Sequence, residues 1–137
     1  MPDAPRIPAK KTQATLVPTR TLPKPVLRFR IRVFDGDAIA VGPGKIALLE
    51  AIDSTGSIVA AAKSLGMSYR RAWVLLDETN RSLKWPAVGS TKGGQRGGGS
   101  LLTAEGRKLI DVYRRIEATA DAACQRDIRR LMGMLAR

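Results

Sequence analysis

Ser57-Ile58-Val59-Ala60-Ala61-Ala62-Lys63-Ser64-Leu65-Gly66-Met67-Ser68-Tyr69-Arg70-Arg71-Ala72-Trp73 is the stretch whose spacing decides the fold. Ser57 is a hydroxyl N-cap ahead of a short helical run, Ile58 to Leu65, and Gly66 suits its C-terminal turn. Ser68 caps a second helix, roughly Tyr69 to Leu83, with Ala72, Leu76 and Thr79 as its inward stripe. Two short helices parted only by Gly66-Met67-Ser68 read as a helix-turn-helix. Ala60, Ala61 and Ala62 are small enough to let the pair approach closely.

Upstream, Ile46, Leu49 and Ile52 recur at threes, with Leu48 and Ile52 four apart. They predict a helix opened by Pro43 and ended around Ser54 to Gly56. Before it, Leu27-Arg28-Phe29-Arg30-Ile31-Arg32-Val33 alternates apolar and basic residues, which predicts a half-buried strand with a solubilising arginine face. Asp35-Gly36 is a hairpin-turn signal, and Ala38 to Val41 is placed to pair back. Residues 1–25 hold six of the eight prolines and five cations against Asp3 alone, which reads as a disordered basic arm. The proline density spoils the amphipathic helix that a transit peptide would need.

Downstream, Pro86 stops helix, and residues 92–99 contain five glycines with Lys92 and Arg96. Flanked by Val88 and by Leu101-Leu102, this loop reads as the basic tip of a hairpin, a wing. Thr103-Ala104-Glu105 looks like a helix start, and no proline follows. Leu109, Val112, Ile116, Ala120, Ala123, Ile128, Leu131 and Leu135 fall near one face of a helix from 104 to 135. Such a helix would be roughly 48 Å long, too long to pack wholly on a core of this size. Its distal half is expected to fray or to pack on another chain. Cys124 lies beside the stripe and reads as a small buried hydrophobe.

The 137 residues suffice for one domain, here divided as arm 1–25, winged domain 26–103 and long helix 104–137. A net charge of +12 favours a polyanionic partner. With no histidine and one cysteine, a disulfide framework, a Cys/His zinc cluster and His-dependent catalysis are excluded. No acid, base and nucleophile constellation points to an enzyme. No apolar run approaches the roughly 20 residues that span a bilayer, so a soluble, cytoplasmic protein without membrane attachment is expected.

Gly42-Pro43-Gly44-Lys45-Ile46-Ala47 matches G-x-G-x-x-A, but no βαβ unit or later acid accompanies it, so it reads as a tight turn feeding a helix. It is not a Walker loop either, since Ile46 replaces the Ser or Thr. Ser68-Tyr69-Arg70-Arg71 carries the nucleic-acid chemistry. A helix N-terminus attracts phosphate, and arginines in its first turn can reach guanine O6 and N7 bidentately. Arg70 and Arg71 are therefore the expected base readers, with Ser68 and Tyr69 orienting the helix and Ser57 and Lys63 on phosphates. Lys92, Gln95 and Arg96 would act from the wing, while Trp73 reads as a partly buried packing residue.

These segments resemble the ModE-type molybdate-responsive regulators. Gly42 to Ile52 looks like their first helix, and Thr55-Gly56-Ser57-Ile58 with Ala61-Ala62-Lys63 and Ser68 to Trp73 is similar to their helix-turn-helix. Gly97-Gly98-Gly99 running into Leu102-Thr103-Ala104-Glu105-Gly106 resembles their wing and the start of their linker helix. The resemblance implies a LysR-type winged helix-turn-helix, mainly α. It implies dimerisation through the long last helix, with Leu109, Val112, Ile116, Ala123, Ile128, Leu131 and Leu135 as its seam, and a pseudo-palindromic double-stranded DNA operator. Family members add molybdate-binding domains after that helix; the sequence ends at Arg137, where these would begin, so they are expected to be lacking. No cofactor and no tight molybdate site are then expected, and regulation would come through expression level, a separate sensor protein or another ligand. The alternative is a basic architectural DNA- or RNA-binding protein without an operator.

Overall fold

The computed structural model describes residues 23–90 and 100–136. The arm before residue 23 and the hairpin tip, with Lys92, Gln95 and Arg96, lie outside the described residues. The described chain is mainly helical, with two small antiparallel hairpins.

The arginine-rich alternation does not form the strand expected over 27–33. The strand, β1, is Val33–Asp35, and it pairs with β2, Ala38–Val41, around the Asp35-Gly36 turn. β2 offers only four residues to pair with, and a bulge between Val33 and Phe34 displaces the register. The segment before β1 therefore finds no ladder partner, yet its side chains keep the expected alternation. Leu27, Phe29 and Ile31 are half-buried and the arginines between them exposed. What holds the segment is tertiary: Tyr113 Oη donates to the Ile31 carbonyl at 2.7 Å.

Helix α1, Pro43–Thr55, starts with proline where no amide donor is needed and ends at Gly56, whose φ of 74° is left-handed. Its Ile46, Leu48, Leu49 and Ile52 are fully buried. Helix α2, Ile58–Ser64, is capped by Ser57 Oγ, which accepts from Ala60 N at 3.1 Å. Gly66, at φ 68°, turns the chain toward α3, Tyr69–Ser82, capped by Ser68 Oγ accepting from Arg71 N at 3.0 Å. Ala61 and Ala62 of α2 and Ala72 and Leu76 of α3 join the α1 leucines in the main core. A smaller cluster of Ala40, Val41, Ile46 and Tyr113 lies between β2, α1 and the helix Ala104–Ala123.

Strands β3, Val88–Ser90, and β4, Ser100–Leu102, pair antiparallel with Val88 opposite Leu102. Asn80 of α3 organises the start of this hairpin. Its Oδ1 accepts from Ala87 N at 2.8 Å and Val88 N at 3.2 Å, and its Nδ2 donates to the Val88 carbonyl at 3.1 Å. Thr103 then caps α4, Ala104–Ala123, while its own hydroxyl donates to the Pro86 carbonyl at 2.7 Å.

The long helix predicted over 104–135 is interrupted. Cys124 leaves helical geometry between α4 and α5, Gln125–Gly133. Its amide is shared between the Ala120 and Asp121 carbonyls, and Gln125 Nε2 donates to the Asp121 carbonyl at 3.0 Å. That carbonyl is the one a continuous helix would give to the Gln125 amide, so the side chain competes with the backbone ladder. Cys124 is exposed, not buried as its place beside the stripe suggested. Residues Phe29–Arg126 form one compact unit; the chain from Asp127 belongs to another.

Candidate nucleic-acid interface

Helix α3 presents a free N-terminus. Ser68 satisfies one orphan amide, no acidic residue occupies the first turn, and Tyr69, Arg70 and Arg71 are all exposed. The macrodipole adds partial positive charge at this end. Ala72 faces the core with no exposure. At about 100° per residue, Arg70 then stands nearly opposite the core, while Arg71 stands about 100° further round. The two arginines that the sequence groups together are thus on different flanks. Arg71 lines a groove of about 660 Å³ between α3 and the β1–β2 turn, together with Arg32, Asp35, Lys45, Glu78 and Arg81.

Lys45 was not among the expected site residues. It is only 8% exposed. Its Nζ donates to the Ile39 carbonyl at 2.6 Å and lies 3.4 Å from Glu78 Oε1, so it fastens β2 to α3. The signal in the sequence was a lysine in the first turn of a strongly apolar helix, where a charge stays buried only if paired. Its partners are distant in sequence and could not be read.

Trp73 departs from expectation. It is exposed, and its ring meets Tyr69 edge-to-face with centroids 6.4 Å apart. Ser57 spends its hydroxyl acceptor on the α2 cap, and Lys63 is exposed in the last turn of α2. The expected wing residues Lys92, Gln95 and Arg96 lie outside the described residues.

The expected seam residues divide. Leu109 packs against both core clusters of its own unit and is not a free seam residue. Val112 and Ile116 are 41% and 51% exposed, and Ala123 is exposed. On α5 and beyond, Leu131 and Leu135 are exposed and Ile128 is half-buried. Among the described residues, no helix is long and apolar enough to cross a membrane, and no cluster of potential metal ligands occurs.

No protein-family model matches the chain. It is 44% identical over 86 residues to the molybdenum-pterin-binding protein MopB of Rhodobacter capsulatus, covering 63% of this chain and 32% of that protein. It is 40% identical over 92 residues to the molybdenum transport protein ModE of Azotobacter vinelandii, covering 67% of this chain and 34% of that one. Against the DNA-binding transcriptional dual regulator ModE of Escherichia coli, identity is 41% over 71 residues, 52% of this chain and 27% of the regulator. The chain is thus similar to ModE and Mop proteins, and the match spans about a third of the length of these curated relatives.

Proposed function

We propose that this chain is a sequence-specific DNA-binding transcriptional regulator, built as a winged helix-turn-helix and working as a homodimer. The observation that carries the reading is the capped, acid-free N-terminus of α3 with Arg70 standing away from the core. In this reading α3 enters the major groove, and Arg70 and Arg71 contact base edges from adjacent flanks. Ser68 and Tyr69 orient the helix, and Ser57 and Lys63 hold α2 against phosphates. The β3–β4 hairpin is the wing, bringing Lys92, Gln95 and Arg96 to the backbone. The similarity to a DNA-binding transcriptional regulator supports the same reading.

The seam within the winged unit is the apolar face of α4 beyond the core, Val112, Ile116 and Ala123; Ile128, Leu131 and Leu135, in the unit that follows, are further dimer contacts in this reading. Two recognition helices would then address half-sites about 34 Å apart, one duplex turn. The test is the ratio of affinities for a selected site and for random DNA. About a thousandfold or more is expected. A ratio near one would replace the regulator with a basic architectural protein, for which the +12 charge alone suffices. Arg70→Ala should cost roughly 1–3 kcal/mol on the best site and relax base preference there, whereas Arg96→Ala should weaken all sequences alike.

A further inference from the structure

We infer that Val74 is a specificity-determining residue that reads the C5-methyl of a thymine neighbouring the base contacted by Arg70. The inference rests on α3 being the helix that enters the major groove. Val74 is 44% exposed in a helix whose other exposed residues are aromatic, charged or Ser82. Counting about 100° per residue from buried Ala72, Arg70 and Val74 each lie about 160° away, on either side of the outermost line of the helix. Both therefore project toward whatever α3 approaches.

The chemistry at that point is selective. Each base edge in the major groove offers donors and acceptors, and thymine alone adds an apolar group, its methyl. An isopropyl group makes no hydrogen bond to a polar edge and strips that edge of its water, which is costly. Val74 is also β-branched, so its rotamer in a helix is essentially fixed and the group arrives in place. The residues around it leave it that role. Asp77, the next exposed residue on this face, is held by Arg81 at 2.9 Å, which keeps its carboxylate tied within α3. Arg70 sits one turn earlier, about 6 Å along the axis. With base pairs stacked at 3.4 Å, the thymine should lie one or two base pairs from the arginine-contacted guanine.

The test removes the methyl and nothing else. The best site is selected from random duplex DNA with the intact chain, and each thymine is replaced singly by deoxyuridine. One thymine per half-site should then cost wild-type binding roughly three- to fivefold, the scale of one buried methyl group. Val74→Ala, a change at an exposed position, should bind the thymine and deoxyuridine sites equally and weaken at the thymine site by a similar factor. A selected site whose deoxyuridine forms all bind like the parent would overturn the role of Val74 while leaving the regulator intact. A methyl effect that persists undiminished in Val74→Ala would do the same. Failure to enrich any site would sink both this inference and the proposed function.

Discussion

At the scale of single residues, the tightest constraint falls on Gly106. A Cβ there would be driven into the Ala87 carbonyl and would stand 2.7 Å from Leu102 Cδ1. The carbonyl belongs to backbone held by Thr103 and Asn80, so it cannot simply yield. Gly106→Ala should destabilise by about 1–3 kcal/mol, the usual range for overpacking. Gly44 is the control: nothing lies within 4 Å of its missing Cβ, and it sits in the first turn of α1. Gly44→Ala should stabilise by about 0.4–1 kcal/mol through the unfolded chain. Urea midpoints of the two variants should move in opposite directions; equal shifts would refute the close-approach account. Gly106 was legible only as part of a motif, because the atom it avoids lies on a strand connection nearly twenty residues away.

Between elements, α4 is joined to α1 by ion pairs and to the N-terminal segment by Tyr113. Arg114 is bidentate to Glu50, at 2.8 and 2.6 Å, and reaches Glu117 at 2.6 Å; Arg107 pairs with Asp53 at 3.1 Å. Hydrogen bonds to Glu50 first, and then to Glu117, hold the Arg114 pKa above its ordinary value. Both partners of the Arg114–Glu50 pair are substantially exposed, so Glu50→Gln should cost no more than about 1 kcal/mol, and less in high salt. Tyr113 carries a pH dependence. Burial, and then the Glu117 carboxylate, raise its pKa, against the opposing pull of Arg114, Arg30 and Arg32. A raised phenol favours folding below the unfolded-state value of about 10, and that contribution is lost as pH rises through the folded-state value. Stability of the parent should therefore fall more steeply than that of Tyr113→Phe across pH 9–11, by denaturant titration. Parallel profiles would mean that Tyr113 does not titrate in that window. At neutral pH the same variant leaves the Ile31 carbonyl without its donor and should cost about 1 kcal/mol.

For the whole molecule, the question is where the core stops. Leu109 and Tyr113 complete it, and one turn later Ile116 is half in water. An apolar face that outruns its own core is the kind of surface that meets a partner. Ile116→Glu should leave the fold intact, since the side chain touches no core cluster, and should abolish self-association and the cooperative part of site binding. Sedimentation at micromolar concentration checks both; a monomeric parent would remove the dimer. DNA affinity should fall with salt along a slope of about −0.9 per phosphate neutralised. Halving that slope in Ile116→Glu would fit two half-sites, and an unchanged slope would argue against them.

The sequence by itself determined the local structure between Pro43 and Ser82 and the start of α4. Ser57, Ser68 and Thr103 cap helices with their own hydroxyls, and Gly56 and Gly66 adopt the left-handed turns that glycine allows. These are interactions within a few residues, so spacing alone specifies them. It also placed the Asp35-Gly36 turn and the exposed arginines of α3. What only the tertiary structure decided depends on partners far along the chain. The arginine-rich segment lost its strand because β2 has no length to receive it, and Tyr113 holds it instead. Lys45 is buried because Ile39 and Glu78 meet it in space. The apolar stripe of the last helix is one period in sequence but two surfaces in the fold, since the core covers Leu109 and ends before Ile116. Periodicity reports which residues share a face; it carries no information about how far the neighbouring elements extend to cover that face.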